Sequence, residues 1–522
     1  MEYSFESSSP GPCFSIGKFL SQFSDLCGEF GTYIAPTYRH DRCERSVQMR
    51  LYTLNKRQFV LVFAAFFLCF LLTVFIGLAG PSVIETSETS AADLNPKPNL
   101  QTGPFILPSS LMSTFHQQLW LIAQIQINST GDVEVHTSSP FMVGVRIAGL
   151  KSHGVKDLLL DGTMHNRSRE LKCTGQTCDE LNMLHLGYLD YSRYVVTIYF
   201  FGLEKQKVLQ IRDVKFQFKS YNPTFTQIEI WFRFVFLLIT FLATCAFAHS
   251  LRRFTVRDWS MEQKWMSVLM PLLLLYNNPF FPLTFLVESW IPGMFDAIFQ
   301  ASFLCGLLLF WLCLYHGVRQ TKRHFCSFYL PKLVVVGLIW ISAVTLASWQ
   351  AYNELQDPTY NYSLDTANYL GFQVFFYTIG VVYLLYLIFL LIRAYAELKS
   401  MPFFDLRLKF MTTLMLIVLA ITVAITALRF GTNISQDAVV TGSSIHYQSS
   451  AEFLSFYGLL NFYLYTMAFV YSPSKNALVE SHFRDNPALS MLNDSDEDIV
   501  YGSEYEETAL NGRPTKPTRD SR

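Results

Sequence analysis

Residues 59–78 read FVLVFAAFFLCFLLTVFIGL, an apolar run with no charged side chain. At about 1.5 Å of rise per helical residue, some twenty residues cross a hydrocarbon core of roughly 30 Å. In lipid, a single segment can satisfy its own backbone only as a helix, so this run is a membrane span. Arg39, Arg42, Arg45, Arg50, Lys56 and Arg57 precede it against only Asp41 and Glu44, and no Lys or Arg follows it before Lys97. The positive-inside bias therefore places its first end in the cytosol and sends the chain beyond Gly80 to the lumen or cell exterior.

Seven further apolar runs, at 229–248, 266–287, 296–315, 333–350, 370–392, 410–428 and 452–472, give eight spans and two cytosolic termini. The connections test the alternation. Arg252, Arg253, Arg257 and Lys264, then Arg319, Lys322, Arg323 and Lys332, then Arg393, Lys399, Arg407 and Lys409 fall on the cytosolic side; the luminal loops 288–295, 351–369 and 429–451 carry only Arg429. A chain that is 51% hydrophobic and 16% aromatic, with a formal net charge of −1, fits a polytopic membrane protein and offers nothing to nucleic acid. The expected division is a basic cytosolic tail (1–58), a first transmembrane helix (59–80), a luminal domain (81–227), a seven-helix bundle (228–472) and an acidic, disordered cytosolic tail (473–522). The basic cluster before the first span would sit against anionic headgroups or bind a protein.

In the luminal stretch the hydrophobic period is two. Leu121, Ala123, Ile125 and Ile127 alternate with glutamines. Phe141, Val143, Val145 and Ile147 form a second series, and Val196, Ile198 and Phe200 a third. Leu209, Ile211, Val214, Phe216 and Phe218 form a fourth, with a bulge near Asp213. Such short alternating strands predict a β-sandwich. Of the ten cysteines, only Cys173 and Cys178 fall on the luminal side, enclosing a short loop without a nearby His, which fits a local disulfide better than zinc. Asn128, Asn166, Asn361 and Asn433 are glycosylation acceptors on the predicted luminal side; Asn493 falls in the cytosolic tail and should be unused.

Inside the spans, Asn277, Asn278, Asp296, Gln300 and Asn461 must find partners or face water. Either they hydrogen-bond between helices, or some line a ligand or lipid cavity opening toward the lumen. Arg233 and Arg429, near luminal span ends, are expected to snorkel to the headgroups. No catalytic arrangement, metal-ligand spacing or cofactor motif is present, so neither an enzyme, a metal nor a cofactor is expected. On the cytosolic side, Tyr395 to Leu398 matches a Tyr-x-x-apolar sorting pattern that adaptors read in extended form, or simply continues the helix. Ser495 and Ser503 precede acidic residues in a tail that is either a phosphorylatable trafficking segment or an inert solubilising one.

Several landmarks recur in order from Leu171 to Ser474. They are Leu171-Lys172-Cys173, Phe225-Thr226 with Trp231-Phe232, Asn278-Pro279, Leu408-Lys409-Phe410-Met411, and Tyr457 to Tyr463 with Tyr471-Ser472-Pro473-Ser474. In this the chain resembles the Wntless-like group, in which a luminal GOLD-type β-sandwich precedes a seven-helix, GPCR-like bundle. The resemblance implies a non-enzymatic receptor or cargo protein of Golgi, endosomal and plasma membranes. In Wntless the same arrangement carries lipid-modified Wnt proteins. Carried over, Asn277, Gln300 and Asn461 become cavity residues, and Cys173 with Cys178 a structural clasp. The implied partners are membrane lipids, a secreted or lipidated protein ligand, and sorting adaptors at the cytosolic loops and tail. The short loop between the two cysteines and the long N-terminal tail depart from Wntless. The alternatives are an orphan signalling receptor, which the missing acidic-Arg-Tyr triplet and Asn-Pro motif disfavour, and a surface docking receptor for extracellular proteins such as secreted toxins. A channel or transporter would need charge rings or repeated broken helices, which the sequence lacks.

Overall fold

The computed structural model describes residues 47–128, 137–151, 156–158, 162–174, 176–205, 210–317, 325–360, 365, 369–398, 409–410, 412–422, 449–474 and 477. Seven of its helices are long and apolar enough to cross a membrane. They are α1 (Lys56–Leu78), α2 (Pro223–Leu251), α3 (Met261–Tyr276, a span only when continued to Phe285), α4 (Ile291–Gly317), α5 (Leu330–Gln356), α6 (Tyr369–Leu398) and α8 (Ser450–Tyr471). Between the last two lies the apolar helix α7, described over Thr412–Thr422, in the place of the seventh predicted span.

Local chemistry starts these helices where the sequence changes character. Asn222 caps α2 by accepting from the Thr224 amide, and Pro223 fills the first helical position, whose amide needs no partner. Ser260 and Gln263 form a reciprocal capping box on α3, and the Ser449 hydroxyl caps α8 through the Glu452 amide. The third predicted span, expected to run on to 287, ends as an α-helix at Tyr276. Asn278 then takes a positive φ of 48° and bonds the Phe280 amide through its own side chain. Pro279 cannot continue the helix. The chain turns through a 3-10 segment, Phe281–Phe285, before α4 begins.

Between α1 and α2 the described residues form ten strands: β1 (Ile84–Ser90), β2 (Phe105–Pro108), β3 (Leu119–Ile127), β4 (Thr137–Leu150), β5 (Lys156–Leu158), β6 (His165–Thr174), β7 (Thr177–Cys178), β8 (Leu181–Leu186), β9 (Arg193–Phe201) and β10 (Ile211–Tyr221). One layer orders β1-β10-β3 with β8 on β3; the other orders β6-β4-β9-β2 with β5 on β4. The two-residue strand β7 pairs with both layers and makes the hydrogen bonding continuous around one side. The expected alternation holds: Leu121, Ala123, Ile125, Phe141, Val143, Val145, Val196, Ile198, Phe200, Val214, Phe216 and Phe218 share one buried core. Phe105 of one layer meets Phe216 of the other with ring centroids 5.2 Å apart. The register between β10 and β3 slips between Ile211 and Asp213, the predicted bulge. Leu209 lies outside the described residues. Cys173 and Cys178 form the expected disulfide, on the β6–β7 turn. Cys326, which the sequence places in a cytosolic loop, is disulfide-bonded as well.

The sandwich stands on one end of the bundle. β10 runs directly into α2, Asn222 donates its amide to the Val83 carbonyl, and Ser450 at the start of α8 bonds the Pro81 carbonyl after α1. At the opposite end, residues 47–51 lie across the base of the bundle. The Val47 amide bonds the Asp258 carbonyl, the Arg50 amide bonds the Ser472 carbonyl, and Met49 and Leu51 are buried. Tyr395 to Leu398 form the final turn of α6, so their backbone is helical where an adaptor-binding signal would be extended.

Candidate functional site at the sandwich-facing end of the bundle

Two turns of α2 bring Thr226, Glu229 and Arg233 onto one face. The Arg233 guanidinium bonds Glu229 Oε1 through Nε at 3.1 Å and Nη2 at 3.0 Å, and reaches Asp296 of α4 through Nη1 at 3.3 Å. It also lies 4.2 Å from the centroid of the Phe281 ring. Arg233 is therefore buried and paired, and the snorkelling expectation is corrected: two carboxylates at this depth hold the guanidinium inward more strongly than headgroups would draw it out. Asp296 also accepts from Asn278 Nδ2 at 2.6 Å and from Gln300 Nε2 at 2.7 Å. The network is carried up into the sandwich by Gln117, whose amide donates to Thr226 Oγ1 and Glu229 Oε2 at 3.0 Å each. Gln117 has φ 53°, a strained setting for a non-glycine residue. Two carboxylates face one guanidinium, and Asp296, its side chain 24% exposed, is the most accessible of the three charges.

One layer deeper lies a separate amide cluster. Asn277 Nδ2 donates to Asn461 Oδ1 at 3.0 Å and to Thr240 Oγ1 at 2.8 Å, and Asn461 Nδ2 returns a bond to Asn277 Oδ1 at 3.2 Å. Tyr465 closes the set against Thr240 at 2.6 Å. Asn277 and Asn461 are 0% exposed. Of the five polar residues read as cavity-lining, these two instead join α3 to α8 as an interhelical clasp, because each amide satisfies the other in a medium without water. Asn278, Asp296 and Gln300 come together in the outer network. Sequence reading passed over Glu229, Gln117, Thr240 and Tyr465. The Glu229-Arg233 spacing of four on a span was the available signal. Asn361, Asn433, Ser495 and Ser503 lie outside the described residues, whereas Asn128 and Asn166 are both exposed on the sandwich. Among the described residues no cluster of metal-ligating side chains occurs.

The clasp makes a prediction. Asn277→Leu or Asn461→Leu alone strands a buried amide and should cost about 1–3 kcal/mol. The double variant should recover much of that loss. Thermal unfolding of the detergent-purified single and double variants reads the coupling.

Packing around the outer network is uneven. From Phe303 to Tyr315, α4 is largely buried, but Met294 to Ser302 contains no buried residue. Helix α6 buries Tyr383, Leu387, Leu390 and Ala394, the stripe of a packed helix, yet among its described side chains from Gly371 to Val382 none is buried. On α5, from Gly337 to Gln356, only Ser342 is. Among the described side chains, the three helices thus bury more at the end away from the sandwich than beneath it.

The connection from α5 to α6 is held by β6. Arg167 pairs with Asp357. Arg169, 4% exposed, bonds Asp365 Oδ1 at 2.9 Å and the Thr359 carbonyl at 2.6 Å, while the Pro358 carbonyl accepts from the His185 amide at 2.7 Å. Burial opposes ionisation of Asp357, but hydrogen bonds from Thr359 and Arg167 outweigh it and hold the carboxyl below its ordinary value. A depressed carboxylate contributes its stability above the unfolded-state pKa, about 4, and loses it as pH falls through the lower folded value. Hydrogen-exchange protection at residues 357–360, taken relative to the intrinsic rate at each pH, should therefore hold between about pH 7 and pH 5 and fall only below about pH 4. Asp357→Asn should lower it throughout.

Residues 103–221 match the family described as TMEM181, GOLD domain, and residues 222–475 the one described as Wntless-like, transmembrane domain. Human Transmembrane protein 181 is 55% identical over 463 residues, covering 88% of this chain and 95% of the relative. The chain belongs to the transmembrane protein 181 family. More distantly, it is 25% identical to the mouse Protein wntless homolog over 418 residues, 70% of this chain and 74% of that one. Xenopus laevis Protein wntless homolog B is 24% identical over 375 residues, 64% of each chain. The division of labour within this family fits the two units described above: a GOLD sandwich that ends in β10, and a Wntless-like membrane domain that starts at the Asn222 cap.

Proposed function

We propose that this protein is a non-enzymatic receptor or carrier of the secretory pathway and cell surface. It takes a secreted, lipid-modified protein ligand between its sandwich and its bundle, with both termini in the cytosol and the sandwich in the lumen or outside. The observation that carries this reading is how few side chains α4, α5 and α6 bury beneath the sandwich. A helix that buries no side chain over three turns offers its sides to an acyl chain, and Asp296 with Gln300, within the thinly buried stretch of α4, supplies polar groups to meet the ligand's linkage. The disulfide on the sandwich fits an oxidising compartment, and the relationship to wntless homologs supports the arrangement. The signalling-receptor reading is less well supported, because residues 47–51 lie across the base where a cytosolic transducer would enter.

The test uses the full chain in lipid nanodiscs and a peptide carrying a photoactivatable sixteen-carbon acyl group. Adducts should concentrate on residues 294–302, 337–349 and 371–382, and free fatty acid of the same length should compete for them. Adducts spread evenly over all lipid-facing helices would overturn the proposal.

A further inference from the structure

Strand β6 presents opposite chemistries on its two faces. Arg167 and Arg169 turn toward the α5–α6 connection, as described. Asn166 and Ser168, the acceptor and hydroxyl of the Asn-Arg-Ser sequon, fall on the other face of the strand, and both are exposed. The register fixes their neighbours. Gly144 of β4 lies opposite both Asn166 of β6 and Tyr199 of β9, and Met142 lies opposite both Ser168 and Phe201. Residues directly opposite in antiparallel strands share a face, so Asn166, Ser168, Met142, Tyr199 and Phe201 make one outward surface.

That surface is unusually apolar for the outside of a sandwich. Met142 is 47% and Phe201 44% exposed, and the rings of Tyr199 and Phe201 stack at 10° with centroids 6.2 Å apart. Gly144 leaves the middle of it low. A Cβ placed there would stand 2.8 Å from Met164 Sδ, 2.9 Å from Asn166 Oδ1 and 2.9 Å from Phe201 Cε2, so the acceptor carboxamide, a thioether and the exposed aromatic edge already converge on one point. Glycine inside a strand commonly marks a place where another group comes close.

We infer that this face is a seat for the first N-acetylglucosamine of a glycan on Asn166. The Asn166 Nδ2 bonds to C1 of the sugar delivered by a lipid-diphosphate-linked oligosaccharide; the diphosphate leaves and the amide gives up one proton to solvent. The apolar C–H face of the pyranose then lies over Phe201 and Met142, while its hydroxyls and acetamide stay in water. The occupant is a carbohydrate tethered to the face it covers, which explains why an exposed aromatic patch adjoins an acceptor asparagine. The inference rests on the luminal placement of the sandwich proposed above.

The full chain, expressed in cells with N-glycosylation, tests it in three forms: fully glycosylated, trimmed by an endoglycosidase to one N-acetylglucosamine, and carrying Asn166→Gln or Ser168→Ala. The trimmed form should melt with the intact one. Asn166→Gln and Ser168→Ala should each lose one glycan's mass and melt a few degrees lower. On a Tyr199→Ser, Phe201→Ser background, loss of the sugar should no longer change the melting temperature. Three results would overturn the inference: an unglycosylated Asn166, a glycan whose complete loss leaves melting unchanged, or a loss equally costly on both backgrounds. An unmodified Asn166 beside a glycosylated Asn128 removes only the seat. Sugar on neither removes the luminal placement as well.

Discussion

Arg233→Leu should abolish most of the folded protein. The substitution takes the guanidinium away from the buried Glu229 and the half-buried Asp296, and removing one member of a buried charge set costs about 3–5 kcal/mol. That is a large part of the roughly 5–15 kcal/mol by which a typical domain is stable. The damage should spread into the sandwich, because Gln117 would lose the ordered Glu229 that fixes its strained turn. Fluorescence-detected size-exclusion after a heating series reads this directly. A triple variant, Arg233→Met with Glu229→Gln and Asp296→Asn, removes the charges together and should recover a substantial share of the loss. If the single variant is as stable as the parent, the network is not what ties the sandwich to the bundle.

Gly458→Leu and Gly77→Leu should each drive α1 off the bundle. A Cβ on Gly77 would come within 2.5 Å of the Ala451 backbone, and one on Gly458 within 2.7 Å of Thr73 Oγ1, so α1 and α8 approach too closely for any side chain at either position. Small residues are how membrane helices gain contact where no hydrophobic drive favours association over lipid. Forcing extra methylenes into such a contact costs about 1–3 kcal/mol or more. The expected result is early melting together with protease cleavage near residues 54–56. Gly337→Leu and Gly380→Leu, which meet nothing within 4 Å, are the matched controls and should behave like the parent. Equal behaviour of the two pairs would mean that α1 is a loose anchor rather than part of the packed bundle.

The residues that could be read in advance share a property. The span at 59–78, the later apolar runs, the inward alternation of Phe141, Val143 and Val145 and the Ile211–Asp213 bulge are written in short-range patterns of polarity. Such patterns suffice because lipid and water sort side chains one by one. The Cys173–Cys178 bridge was legible for the same reason, since its partners are neighbours in the chain. Glu229 and Arg233 were nearly legible: their spacing says that they pair, but not that the pair turns inward.

The order of helices, the sandwich ahead of them and the polar positions inside them were determined by sequence alone. Which polar residues meet was decided only in the tertiary structure. Asn277 and Asn461 look alike with Asn278 and Gln300 in a hydropathy plot, yet one pair closes on itself and the other surrounds a carboxylate. The physical reason is that a buried hydrogen bond or ion pair depends on distance and direction between groups far apart in the chain, and apolar periodicity carries neither.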